Sequence, residues 1–191
     1  MFDIPHFIEA FGYAGVAIVV FAESGLLIGA VLPGDSLLFT AGFLASQNIL
    51  DIWILAPLCA VAAVVGDNVG YWTGKRFGKS VFSRHGSRFF NPGHIEKAEK
   101  YYELHGPMTL VLARFVPVIR TIVPILAGVG NMNRGVFFKY NLLGGIVWGI
   151  GLTVLGYLLG ALIPGVDKYL IPIIIGIIII SVLPGIIHLR K

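Results

Sequence analysis

Two stretches of this chain, residues 140–166 and 169–187, contain no charged residue at all. A bilayer-spanning helix needs about 20 consecutive apolar residues, so each stretch predicts a transmembrane helix. The spans fall at about 140–163 and 169–188, with Asp167 and Lys168 in the turn between them. A third span is expected at about 52–74, interrupted only by Asp67. Composition agrees: 57% of residues are hydrophobic and 13% charged. A soluble domain carries about 25% charged residues, so this chain lacks the polar cover that water requires. Its 25 glycines and 10 prolines, many inside apolar runs, suit membrane helices, where neighbouring helices re-satisfy a broken backbone.

Two apolar regions carry charge together with helix breakers. Residues 10–50 hold Glu23 and Asp35 around Pro33-Gly34, and residues 108–133 hold Arg114 and Arg120 beside Pro117 and Pro124. Two arms of about 12–18 residues around a Pro/Gly break predict a re-entrant hairpin in each region, because irregular backbone survives at membrane depth only inside protein or along a wet cavity. Pro33, Gly34, Pro117 and Pro124 are the expected breaks.

Residues 75–107 form the one polar segment, with Lys75, Arg76, Lys79, Arg84 and Arg88 among its bases. Asn91-Pro92 supplies a helix start, Gly106-Pro107 a stop, and Glu96–Lys100 a favourable i,i+4 pair, predicting a surface helix near 92–105. The basic excess assigns this loop to the cytoplasm. The C-terminus, Arg134 and Lys139 fall on the same side if 108–133 is a hairpin. The N-terminus opens with Asp3 and Glu9, which is not the basic start of a signal peptide.

Spacing suggests a duplication. Ala41-Gly42 precedes Gly70-Tyr71-x-x-Gly74, and Ala127-Gly128 precedes Gly156-Tyr157-x-x-Gly160, each matched position 86 residues apart. One span between the two units turns the second upside down. The expected fold is an all-α integral membrane protein: an inverted repeat of re-entrant hairpin plus transmembrane helix, with an additional C-terminal transmembrane helix, forming a single domain over 1–191. Inverted repeats place their site at the repeat interface near the midplane.

Intramembrane charges cost at least about 2.5–3.5 kcal/mol each, so Glu23, Asp35, Arg114 and Arg120 need partners. The first hairpin holds only acids and the second only bases, and the simplest arrangement faces them across the repeat interface. Two arginines in a dry site can hold a phosphate bidentately, and two carboxylates there can take up protons. Asp67 is a further candidate for that site, or a polar group near the end of its span. Gly66, Gly70, Gly74 and Gly78 make a smooth helix stripe for close packing. The lone Cys59 reads as a small buried residue. His6, His85, His94, His105 and His188 match no metal-ligand spacing. Ser24 and Ser36 follow acidic residues, but no histidine is placed to activate them. No cofactor, metal, nucleic-acid or enzymatic motif is found.

The motifs resemble those of the DedA family of bacterial membrane proteins, also called SNARE-associated or VTT-domain proteins. Phe21-Ala-Glu23-Ser-Gly25, Leu32-Pro-Gly-Asp35 and Ala41-Gly42 are similar to its first hairpin, and Gly66-Asp67 with Gly70-Tyr71-x-x-Gly74 to its next motif. Ala113-Arg114-Phe115-x-Pro117-x-x-Arg120-x-x-x-Pro124-x-x-Ala127-Gly128 is similar to its second hairpin, continued by Met132, Phe137, Asn141, Trp148 and Gly156-Tyr157. The resemblance implies membrane-lipid transport. Bacterial members are associated with returning undecaprenyl phosphate to the cytoplasmic leaflet, and eukaryotic relatives are lipid scramblases. It implies a proton-coupling pair, Glu23 and Asp35, and a headgroup-binding pair, Arg114 and Arg120.

The reading is therefore a lipid flippase of the cell inner membrane, not an enzyme, working on a polyprenyl phosphate headgroup with protons as the coupling ion. A homo-oligomer is left open. An uncoupled phospholipid scramblase is the nearest alternative. An intramembrane lipid phosphatase or transferase, and a structural membrane-assembly factor, are alternatives of other classes.

Overall fold

Apolar periodicity all around a helix leaves no water-facing side, and the fold follows from that. In the computed structural model, residues 4–26, 34–82 and 106–162 are described. All the regular structure among them is helical. Pro33, the surface helix near 92–105, the span at 169–188 and the C-terminus lie outside the described residues.

Helix α1 (Ile4–Gly25) and helix α2 (Gly34–Ser46) are the two arms of the first expected hairpin. Asp51 then starts helix α3 (Ile52–Phe82). Its Oδ1 accepts from Trp53 N at 2.8 Å, while its own N–H donates to the Tyr13 hydroxyl of α1 at 2.6 Å. This is an N-cap that also ties α3 to α1.

The second region departs from two equal arms. A 3-10 turn (Gly106–Met108), a single helical turn α4 (Thr109–Leu112) and another 3-10 turn (Ala113–Phe115) lead to Val116, which is extended at φ −117° and ψ 109°. Pro117 explains the break: a residue before proline is pushed out of the helical region. Pro117 itself then opens helix α5 (Pro117–Val129), the position proline favours. Pro124 is not a break, contrary to expectation. It lies inside α5, beside Gly70 of α3.

Asn133 caps helix α6 (Arg134–Gly145) by accepting from Gly135 N and Val136 N at 2.9 and 3.2 Å. A π-helical turn (Ile146–Ile150) joins α6 to helix α7 (Gly151–Leu162). The whole segment, Arg134–Leu162, is one of two described helices long and apolar enough to cross a membrane, the other being Ile52–Phe77. It begins at Arg134 rather than near 140, because the Asn133 cap can start a helix ahead of the apolar run. Arg134 and Lys139 therefore lie in its first turns and are exposed.

Within the glycine stripe, Gly66 and Gly74 make the close approaches, each to a different neighbour. Gly25 of α1 meets Gly66, and Gly74 lies against the Ile125 carbonyl of α5; Gly78 continues α3 beyond this contact. In return Gly128 of α5 lies against the Tyr71 carbonyl. A second crossing, between α2 and α7, has the same design: Gly156 lies against the Phe39 carbonyl and Gly42 against the Thr153 carbonyl. A Cβ at any of these four crossing positions would strike backbone. The 86-residue spacing relates Ile125 and Gly128 to Phe39 and Gly42. It would pair Gly74 with Gly160, yet Gly156 takes that role, one helical turn earlier. Glycines at both 156 and 160 leave either register open, so the sequence could not choose between them.

Among the described residues, charged side chains are buried beside the apolar core while many large apolar side chains are exposed. Trp53, Ile18, Val61 and Leu162 are 84%, 65%, 59% and 73% exposed, whereas Glu23, Arg114 and Asn141 are 1%, 4% and 1% exposed. That inversion suits a hydrocarbon surround. Val20, Leu38, Leu55, Cys59 and Trp148 form the apolar core between α1, α2, α3 and the π turn.

Candidate functional site

The two regions expected to be hairpins bring their charges together inside the helices, in two units rather than one shared clamp. Arg120, in the first turn of α5, takes both acids of the first hairpin. Its Nη2 pairs with Glu23, and its Nη1 donates to Asp35 Oδ1 at 2.5 Å. The same Asp35 oxygen accepts the Trp148 indole N–H at 2.8 Å. The Trp148 ring lies 4.8 Å from the Arg120 guanidinium carbon.

Glu23 reaches this point because Gly34 has no side chain. A Cβ there would fall on the Glu23 carboxylate. Gly34 therefore opens α2 and cradles Glu23, beyond its expected part in the hairpin break. Asp35 stands in the first turn of α2, where the positive end of the helix dipole favours a carboxylate.

Contrary to the expectation that the two acids face both arginines, Arg114 pairs with neither Glu23 nor Asp35. The Val116 break separates it from Arg120 and aims it at α3 and α6. Its Nη2 pairs with Asp67 and with Asn141 Oδ1. Asn141 Nδ2 in turn donates to the Val64 carbonyl at 3.0 Å. Asp67 is therefore a member of the charge constellation, as the partner of Arg114. Gly144 clears space here: an added Cβ would lie 2.8 Å from Arg114 Cδ and Nε. Among the described residues, no three His, Cys, Asp or Glu side chains converge to hold a metal ion.

The two units differ in access and charge. The Asp35 side chain is 33% exposed, whereas Asp67 and Arg114 side chains are 8% and 4% exposed. With all groups ionised, Arg120 with Glu23 and Asp35 carries net −1, while Arg114 with Asp67 is neutral. A buried excess charge is costly unless a proton or ligand balances it. The first unit therefore holds a surplus negative charge with one side open, and the second is balanced and sealed.

Asn141, Trp148, Gly34 and Gly144 enter the site without having been picked out as its polar members or its cradles. The first two are polar groups in a run without charge, where only a search for uncharged hydrogen-bonding side chains would find them.

A family model described as the VTT domain matches residues 32–158. Protein DedA of Escherichia coli strain K12 is 43% identical over 181 residues, covering 94% of this chain and 82% of that protein. An uncharacterized membrane protein of Mycobacterium leprae, ML0287, is 44% identical over 170 residues, covering 89% of this chain and 76% of that protein. The inner membrane protein YqjA of the same Escherichia coli strain is 32% identical over 148 residues, covering 78% and 67%. No solved structure matches. With the domain running from the start of α2 through α3, α5 and α6 to most of α7, and with relatives matched over most of the chain, the chain belongs to the DedA family of VTT-domain membrane proteins.

Proposed function

We propose that this protein moves a phosphate-bearing lipid, undecaprenyl phosphate as the specific candidate, between bilayer leaflets, coupled to proton movement in the same direction. Arg120 binds the phosphate, and Glu23 and Asp35 occupy Arg120 when the lipid is absent. The observation that carries this reading is Arg120 shared between a sealed carboxylate, Glu23, and an accessible one, Asp35.

Charge sets the order of events. With both carboxylates ionised, the unit is net negative and repels an anion. Two like charges about 4 Å apart cost on the order of 4 kcal/mol at the effective dielectric of a protein. Protonating one carboxylate neutralises the unit, and protonating both leaves it +1. A phosphate can then replace Asp35 on Arg120. Deprotonation facing the cytoplasm restores the carboxylates and expels the headgroup. The polyprenyl tail stays in lipid throughout. Arg114, expected to share the phosphate, is already committed to Asp67 and Asn141, and its role is to fix α3 against α6 around the site.

The membrane arrangement belongs to the same proposal. Helix–break–helix regions on both sides of α3 are read as re-entrant hairpins. The repeated glycine crossings, α3 with α5 and α7 with α2, support an inverted repeat. The loop at 75–107 and the C-terminus face the cytoplasm in this reading. Cysteines introduced at Ser87 and Lys191 should then resist an impermeant reagent in intact cells, and labelling of either would reverse the topology.

The deciding experiment reconstitutes the protein in liposomes with a pH gradient and detects undecaprenyl phosphate and phosphatidylethanolamine leaflet by leaflet. Movement of the polyprenyl phosphate alone, following the gradient, is expected. Equal movement of both lipids without pH dependence would make the protein an uncoupled scramblase. No movement of either would end the transport reading.

A further inference from the structure

We propose that Trp148 is a positioning residue for the anion site: it keeps the Arg120 guanidinium oriented while Asp35 is exchanged for a phosphate monoester. The inference rests on the reading of Arg120 as the phosphate ligand. Trp148 touches both members of the exchangeable pair through different parts of its side chain. Its N–H edge donates to Asp35 Oδ1, and the Arg120 guanidinium carbon stands over its ring. When Asp35 leaves, the pair loses its charge attraction but the ring contact remains. A cation–π contact contributes about 0.5–2 kcal/mol, more where water is excluded.

The contact also solves a geometric problem. A guanidinium binds phosphate through two parallel N–H groups in its own plane. A ring beneath the guanidinium carbon restrains the group through its positive centre and uses none of its N–H donors. Trp148 is itself fixed, 2% exposed and packed with Val20, Leu38 and Leu55. It sits in the π-helical turn Ile146–Ile150. Such single wide turns inside α-helices recur at functional sites.

The chain has three tryptophans, and Trp53 and Trp72 are 84% and 55% exposed. Trp53→Phe with Trp72→Phe therefore leaves Trp148 as the sole indole reporter without touching the site. The probe is a short-chain polyprenyl phosphate in detergent, with the matching polyprenyl alcohol as control. Trp148 emission should change saturably with the phosphate and stay constant with the alcohol. In proteoliposomes, Trp148→Phe keeps the ring and should transport within about threefold of the parent. Trp148→Leu removes ring and N–H and should raise the half-saturating lipid concentration about tenfold, with a smaller change in maximal rate. Retention of radiolabelled phosphate lipid is measured in parallel. If the label is retained while Trp148 emission stays constant and Trp148→Leu saturates like the parent, the positioning role is overturned and the phosphate site stands. If the parent neither retains nor moves the label, the transport reading falls and this role with it. Should Trp148→Leu fail to fold, the emission of native Trp148 decides alone.

Discussion

Arg114 and Arg120 are equally buried and stand on either side of one chain break, yet they are held in different ways. Arg114 has one carboxylate, one amide and no solvent-facing partner. Arg120 has two carboxylates and an indole, and one of the carboxylates is a third exposed. A charge-balanced, sealed pair resembles a clip. An unbalanced pair with one open side resembles a valve. The difference teaches that a buried arginine's role is set by the surplus charge and access of its partners, because burial and charge alone are common to both.

The largest effect should come from breaking the clip. Stranding one member of a buried ion pair costs about 3–5 kcal/mol, and replacing both members by apolar groups recovers most of that. Arg114→Met alone should lower thermal stability in detergent severely, and Arg114→Met with Asp67→Leu should restore it. If the double variant is as unstable as the single one, Arg114 and Asp67 are not a closed pair.

Next in size is Arg120→Lys. Lysine keeps the charge but loses the planar fork that stands over the Trp148 ring. Losing a hydrogen bond to a charged group costs about 1.5–3 kcal/mol, which is roughly a tenfold to hundredfold fall in transport. Stability should hold, since Glu23 and Asp35 still face a cation. Wild-type transport by Arg120→Lys would remove the bidentate phosphate role and leave a point charge.

The carboxylates sharpen the contrast further. In the proposed cycle Glu23→Gln and Asp35→Asn imitate the protonated state. Lipid binding should persist or tighten, while transport slows and loses its variation between about pH 6 and 8. Asp67→Asn should leave the shape of that pH profile intact. A profile that flattens in Asp67→Asn and not in Asp35→Asn would exchange the two units' roles.

Much of this constellation was legible in the sequence because charge in an apolar run is costly enough to stand out. Glu23, Asp35, Arg114 and Arg120 announce themselves in that way, and the glycine stripe does so by its four-residue spacing. Pairing was harder to read. Nothing in the spacing says that Arg114 turns to Asp67, since that depends on Val116 leaving the helix ahead of Pro117. Pro124 carries the same breaking signal as Pro117 but lies inside α5; a residue before proline is disfavoured from the helical region, not barred from it, so the sequence did not separate the two. Asn141 and Trp148 were hidden by their neutrality. Gly34 and Gly144 were hidden because a glycine that clears space for a side chain looks like any other glycine.

Those two glycines give the smallest effects and the finest test of the contrast. Each clears space for one unit, so an added methyl should disturb only its own. In Gly144→Ala the methyl meets the Arg114 stem at 2.8 Å. The stem must shift within a sealed pair, and overpacking of this kind costs about 1–3 kcal/mol. The low end is expected, as the contact is with side chain rather than backbone, and it should appear as lost stability with the pH profile unchanged. In Gly34→Ala the methyl displaces the Glu23 carboxylate. The carboxylate is the far end of a flexible side chain and Arg120 keeps Asp35 as a second partner, so the loss of stability should be smaller than in Arg114→Met. Transport should change as well, with a shifted pH profile, because Glu23 no longer holds Arg120 in the empty state. The measurement is melting in detergent beside transport across about pH 6–8 for both variants. If Gly34→Ala lost stability and kept its pH profile while Gly144→Ala did the reverse, the clip would be at Arg120 and the valve at Arg114.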